Sequence, residues 1–296
     1  MRPIFSRVFV FVAIIILLLI GIFVFVGTRR VPELTTPVAT PTASVQWPME
    51  KVIGKSVLGR PIESYTYGQG KNHVVFVGGI HGGYEWNGVL LAYQLIDYLT
   101  ENQAEISMNL TVTVIPSLNP DGVYKVVGKE GRFAMGDVTV NKKILAEGRF
   151  NANEVDLNRN FDCDWNPEAK WQSKTVSAGT ASFSEPEAVA IKNFVSLNNP
   201  SAFVFWHSQA NAVYGSECGG NTLPETTTIL NLYGKASGYP IAKTFDSYVV
   251  HGDVTDWLAS VHIPAISVEL KTHETIEWEK NLAGIKALLE YYGLKK

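Results

Sequence analysis

Four short apolar runs stand out along the chain: NHVVFVGG at 72–79, LTVTVIPS at 110–117, AFVFW at 202–206 and PAISVEL at 264–270. Each is rich in β-branched or aromatic residues and bounded by polar or turn residues, the pattern of a buried strand. Between and beyond them apolar positions recur at helical spacing, in NGVLLAYQLIDYLTEN (87–102), EPEAVAIKNFVSL (185–197), LPETTTILNLYGKASG (223–238) and IEWEKNLAGIKALLEYYG (276–293). Ser184-Glu185-Pro186-Glu187 predicts a capping box with proline in the first turn of the second helix. Strands alternating with helices predict an α/β fold, a single globular domain with a mixed, largely parallel central sheet flanked by helices. In such a sheet the site lies beyond the carboxyl ends of the strands.

The first 49 residues follow another pattern. Val8 to Gly27 holds 20 residues without a charge, enough at about 1.5 Å per residue to span a ~30 Å hydrocarbon core. A cleaved signal peptide has a shorter apolar core and a small-residue cleavage site, whereas this run ends in Thr28-Arg29-Arg30. One uncleaved transmembrane helix is therefore expected over 8–27, after a short tail at 1–7. Residues 28–49, rich in Pro, Thr and Ala, cannot bury enough surface to fold and read as an extended linker. The globular domain is expected over 50–296. Arg2, Arg7 and the amino terminus oppose Arg29 and Arg30, so the positive-inside bias is nearly balanced. The linker and two cysteines favour a single-pass protein of the cytoplasmic membrane with its globular domain outside the cytoplasm.

Composition removes some functions. Charged residues make up 18% of the chain, the net charge is −3 and there is no basic block beyond Arg29-Arg30, so nothing offers a footprint for nucleic acid. Cys163 and Cys218 lie in polar, loop-like stretches and form a candidate disulfide on the outer side of a membrane.

Chemistry gathers where the strands end. The run at 72–79 leads to His81 and Glu85, the run at 202–206 leads to His207, and the last run delivers Glu269. Two imidazoles and a carboxylate, one pair local and one member distant, fit the three protein ligands of a catalytic zinc that keeps a fourth position open. An acid at the end of an apolar strand, as at Glu269, is costly to bury without a function.

GGIHGGYE, SLNPDG, VDLNRNF, FWHSQ and ISVEL occur in the order and rough spacing of the zinc carboxypeptidases, from about Val74 to Leu270. The chain resembles a bacterial-type member of that family. The resemblance implies a zinc carboxypeptidase-like fold, one Zn2+ per chain held by His81, Glu85 and His207, and a peptide substrate with a free C-terminal carboxylate. Three residues separate His81 from Glu85, where the family pattern most often has two. A four-residue step keeps both side chains on one face if the segment turns helically, and Gly82 and Gly83 permit the bend.

By the same resemblance Asp156 receives the other ring N–H of His81, which fixes its tautomer. Asn158 and Arg159 hold the terminal carboxylate, matched by the guanidinium fork. Glu269 is the general base and acid. A second arginine stabilises the oxyanion: Arg149, nearer the DLNR loop, is preferred to Arg132. Tyr248 caps the substrate and Thr255 falls where side-chain preference is set, with Asp253 close enough to attract a cationic group. His73, His251, His262 and His273 match no ligand position and read as structural or surface residues.

The leading expectation is a membrane-anchored zinc carboxypeptidase, with cell-wall (murein) peptides as the narrower substrate class. One alternative is a zinc-dependent deacylase of N-acyl amino acids, resembling aspartoacylase and succinylglutamate desuccinylase. Another is an inactive module that binds C-termini. Tyr248 before Asp256-Trp257 favours the peptidase over the first. Retention of His81, His207, Arg159 and Glu269 together argues against the second.

Overall fold

Side chains that alternate through the apolar runs, nearly all of them buried, need a helical layer on each side of the sheet. The structure, a computed structural model, describes residues 5–27 and 47–295. The chain divides into two compact units, Met1–Val45 and Gln46–Lys296.

In the second unit, eight strands form one sheet: β1 (Met49–Lys55), β2 (Pro61–Tyr67), β3 (Asn72–Val77), β4 (Leu110–Ile115), β7 (Ala202–Ser208), β8 (Ala212–Gly215), β9 (Ile241–Ala242) and β10 (Ala265–Leu270). Their order is β1-β2-β4-β3-β7-β10-β8-β9. The centre, β4-β3-β7-β10, is parallel, and antiparallel pairs join β1 to β2, β2 to β4 and β10 to β8. A separate hairpin pairs β5 (Glu168–Trp171) with β6 (Lys174–Ser177).

One face of the sheet buries Val74, Phe76, Val204, Trp206 and Val268. They pack against α2 (Trp86–Glu101), α6 (Pro224–Ser237) and α8 (Trp278–Leu294). The other face buries Val75, Val77, Phe203 and Phe205 against α5 (Pro186–Asn198) and α7 (Val254–Ser260). Each such side chain contributes roughly 1.5–3 kcal/mol by leaving water. These two packed faces hold the carboxyl ends of the strands rigid.

Two expectations change here. Pro186 does open α5, but the N-cap is Glu185 and Ser184 makes no capping bond. Ser184 instead donates to Glu185, and Glu187 accepts from the Val57 N–H and from Asn151, so the box is replaced by long-range bonds. The linker expected over 28–49 lies outside the described residues except at its end, where Trp47 packs against the core and Met49 pairs with Thr66. The fold therefore begins a few residues earlier than 50.

In the first unit, α1 runs Phe5–Gly27 and its side chains over 9–22 are exposed. Among the described residues no helix is long and apolar enough to cross a membrane, so the transmembrane helix expected over 8–27 finds no support in the structure.

Candidate active site

Where β3 ends, Gly78 and Gly79 lead the chain through Ile80 to His81, a 3-10 turn spans Gly82–Glu85, and α2 follows at once. Gly82 is obligatory: its φ is +49°, and a Cβ there would lie 2.4 Å from the Gly148 carbonyl oxygen. This tight turn accommodates the wider spacing, for His81 Nδ1 lies 2.9 Å from Glu85 Oε1. His207, in β7, sends its Nδ1 to 3.1 Å from Glu85 Oε2 and 3.3 Å from His81 Nδ1. All three side chains are buried.

Donor atoms around a tetrahedral zinc with bonds of about 2.0–2.1 Å stand about 3.3 Å apart. Separations of 2.9, 3.1 and 3.3 Å between two imidazole nitrogens and a carboxylate therefore fit one such ion. The second ring nitrogens of both histidines are buried without a hydrogen-bond partner among the described residues. For His81 that nitrogen still faces Asp156 Oδ1 at 3.4 Å, a long contact to the acid best placed to orient the ring.

Asp156 is itself held by Arg149, whose Nε and Nη2 donate to Oδ2 at 2.9 and 2.8 Å. Burial works against the Asp156 charge, but the Arg149 and Arg159 guanidinium groups hold its carboxyl well below the usual range. Arg149 Nη1 reaches to 4.0 Å from Glu85, and its guanidinium lies over the Trp171 ring. Arg132 stands elsewhere, exposed and paired with Asp97, so of the two arginines only Arg149 borders the site.

The trio opens into a cavity of about 460 Å³ that Arg149, Asn158, Arg159, Tyr248, Thr255 and Glu269 also line. Arg159 is buried, with Nε on the Lys170 carbonyl and Nη1 on the Asn158 carbonyl. Asn158 donates to Asp253 at 2.6 Å. Asp253 caps α7 and also accepts from the Thr255 hydroxyl, so its oxygens are spent on the fold. Three further acids border the cavity, Glu217, Asp246 and Asp256. The Glu217 N–H donates to Asp256, and burial, then Asp253 and Glu217, pushes the Asp256 carboxyl up to about 8.

Glu269 pairs with His207 across the parallel strands β7 and β10 and accepts the Ala210 N–H at 3.1 Å. Burial pushes its carboxyl up, opposed chiefly by the His207 ring. Tyr248 packs edge-on against Phe245. The loop behind it is tied down at Gly252, whose φ of +69° leaves no room for a Cβ against the Arg159 carbonyl. Cys163 and Cys218 are bonded, with Cα atoms 6.2 Å apart, and join the loop after Arg159 to the segment holding Glu217.

Three of the four unassigned histidines lie away from the cavity. His73 is buried against Thr113, and burial lowers its pKa to about 4. His251 pairs with Asp164, and His262 ends α7 in a left-handed turn. His273 corrects the expectation, for it borders the cavity with Tyr84 against its ring. Trp171 and Glu217 were equally invisible, because no local pattern marks a residue that reaches the cavity from a hairpin or a loop.

A model of the zinc carboxypeptidase family matches residues 49–285, about four-fifths of the chain. The chain belongs to this family. It is similar to gamma-D-glutamyl-L-diamino acid endopeptidase 1 of Lysinibacillus sphaericus, 28% identical over 243 residues that cover 74% of this chain and 59% of that protein. It is also similar to the human carboxypeptidase N catalytic chain, 35% identical over 123 residues, 37% of this chain and 25% of that one. Its fold matches the murein-tripeptide amidase of Escherichia coli O157 with a TM-score of 0.60 at 21% identity, over 84% of this chain and 96% of that structure. The chain thus spans less than two thirds of the length of these two curated relatives.

Proposed function

We propose that the protein hydrolyses the C-terminal peptide bond of peptides, with cell-wall (murein) peptides as its substrate class. The observation that carries this reading is Arg159. Its guanidinium is buried in the wall of the cavity that also holds the metal trio and Glu269. Two backbone carbonyls fix its orientation, and its remaining N–H groups suit a terminal carboxylate in the two-pronged way a guanidinium allows.

Asn158 would share that carboxylate. Arg149, locked by Asp156 and adjacent to Glu85, would donate to the oxygen that gains charge when the carbonyl is attacked. His81, Glu85 and His207 would hold the zinc, which when bound would supply Lewis acidity to the carbonyl and to the attacking water. Glu269 would take the proton from that water and return it to the leaving amine, and burial favours its proton-holding form. Tyr248 would close over the substrate.

The murein class is supported by relatives whose names record action on diamino-acid or murein peptides. We further infer that α1 anchors the protein in the cytoplasmic membrane with the larger unit outside, supported by the charge-free run of Val8 to Gly27. Protease shaving of intact cells tests the topology, and full protection of the larger unit would refute it.

Mass spectrometry of digests of a mixed peptide and muropeptide library tests the activity. The expected result is chelator-sensitive loss of single C-terminal residues, with muropeptides cut faster. Hydrolysis of N-acyl aspartate without peptide cleavage would transfer the reading to the deacylases. Binding without cleavage of any member would leave only the C-terminus-binding module.

A further inference from the structure

His273 follows the last strand by three residues and takes no part in the motifs, yet its ring stands on the cavity wall. Its protonation pattern can be read from a chain of hydrogen bonds. The Asn87 amide NH2 donates to two backbone carbonyls, those of Thr272 at 2.7 Å and Thr275 at 3.0 Å. Its Oδ1 is therefore the acceptor facing Ser208, whose hydroxyl donates to it at 3.1 Å. That uses the single proton of Ser208. The 2.7 Å contact between Ser208 Oγ and His273 Nδ1 must then be donated by the ring, so the proton sits on Nδ1 and Nε2 carries a lone pair. Among the described residues Nε2 has no hydrogen-bond partner, and it is not sealed inside the protein.

We propose that His273 Nε2 is a specificity-determining acceptor that receives an N–H from the acyl portion of the substrate, upstream of the scissile bond. The inference rests on the activity proposed above. Tyr84 and Ser208, which touch the His273 ring, are the chain neighbours of Glu85 and His207, so His273 adjoins the metal trio. Arg159 and Asn158 adjoin Lys170 and Asp253 instead. A chain held by its carboxylate at Arg159, with its scissile carbonyl at the trio, carries its upstream residues past the trio toward His273. There a fixed tautomer favours a backbone amide, which donates, over an ester linkage, which cannot.

The test uses the full-length chain carrying Glu269→Gln, so that peptides bind without being cut. Dissociation constants are measured for one peptide with a free C-terminus and for analogues in which each upstream amide N–H is replaced in turn by an ester oxygen. One replacement is expected to weaken binding roughly two- to tenfold, the range of a single net hydrogen bond. Adding His273→Phe should abolish that difference, and His273→Gln, whose carbonyl oxygen can accept, should restore part of it. Equal binding of all esters and the parent, or a loss that persists unchanged with His273→Phe, would overturn the role of His273 and leave the peptidase reading intact. Failure of every peptide to bind would sink both.

Discussion

The Cys163–Cys218 bridge closes a loop of 55 residues, and its removal is a perturbation whose size follows from that number. Cross-linking at that separation removes roughly 14 cal/mol/K from the unfolded chain, about 4 kcal/mol at 25 °C. For a domain of this size 1 kcal/mol moves the melting temperature by about 2–4 °C, so losing the bridge should lower it by roughly 8 °C or more. The consequence for substrate is separate. Phe161 donates to the Gly252 carbonyl and Gly252 donates back to the Cys163 carbonyl, so the bridge holds one end of a seam between the Arg159 loop and the Tyr248 loop. Its loss should raise KM several-fold more than it lowers kcat, because Glu269 and the trio sit on strand ends that the bridge does not touch. The assay is thermal unfolding of the parent and of Cys163→Ala/Cys218→Ala, with peptide kinetics on both. Identical melting temperatures, with mass spectrometry showing the parent's two sulfurs bonded, would refute the reasoning.

Glu269→Gln should keep zinc while turnover falls by about 10²–10⁴-fold; Glu85→Gln should weaken zinc itself, and metal titration of both variants shows whether the two glutamates have been assigned the wrong way round. Arg149→Met should lower kcat by roughly 10²–10³-fold, whereas Arg132→Met, altering an exposed pair with Asp97, should leave kinetics unchanged. Asp256, pushed up to about 8, binds its proton more tightly in the folded than in the unfolded protein. Its contribution is full below the ordinary aspartate range and fades as pH rises from there to about 8, so Asp256→Asn should raise the melting temperature more at pH ~9 than at pH ~5. A larger gain at the acidic pH would contradict the buried, proton-holding assignment.

The sheet centre was legible because β3 and β7 are buried throughout and β4 and β10 nearly so, and continuous apolar runs are what such burial requires. The edges were not. β1 exposes Glu50 and Lys51, β8 has four residues and β9 two, and none carries enough apolar length to separate it from a loop. The metal trio was legible from residue type at strand ends, while Arg149 had to be chosen between two glycine-flanked arginines by proximity to the DLNR loop. Capping at Ser184 failed for a different reason: Glu187, placed for a local bond, satisfies Val57 across 130 residues of sequence. A tertiary acceptor outcompeted the local one, which no pattern within one helix reveals.

Chemistry and recognition are held by different parts of the fold. His207 and Glu269 are adjacent rungs of β7 and β10, and His81 and Glu85 follow β3 through a turn that tolerates no side chain at Gly82. These positions inherit their precision from the two apolar faces of the sheet. Arg159, Tyr248 and Glu217 stand on three loops that meet at backbone hydrogen bonds and one disulfide. A core change such as Phe205→Ala, costing about 3–5 kcal/mol, acts on the whole domain and so on metal and substrate sites together. A change in the loop seam, whatever it costs the domain in stability, acts on the substrate site more than on the metal site. Arg149 is the exception, since it grips Asp156 behind His81 while its guanidinium faces the cavity. Of all the substrate-facing groups it alone should couple zinc affinity to turnover, and measuring both for Arg149→Lys distinguishes that linkage from a purely local role.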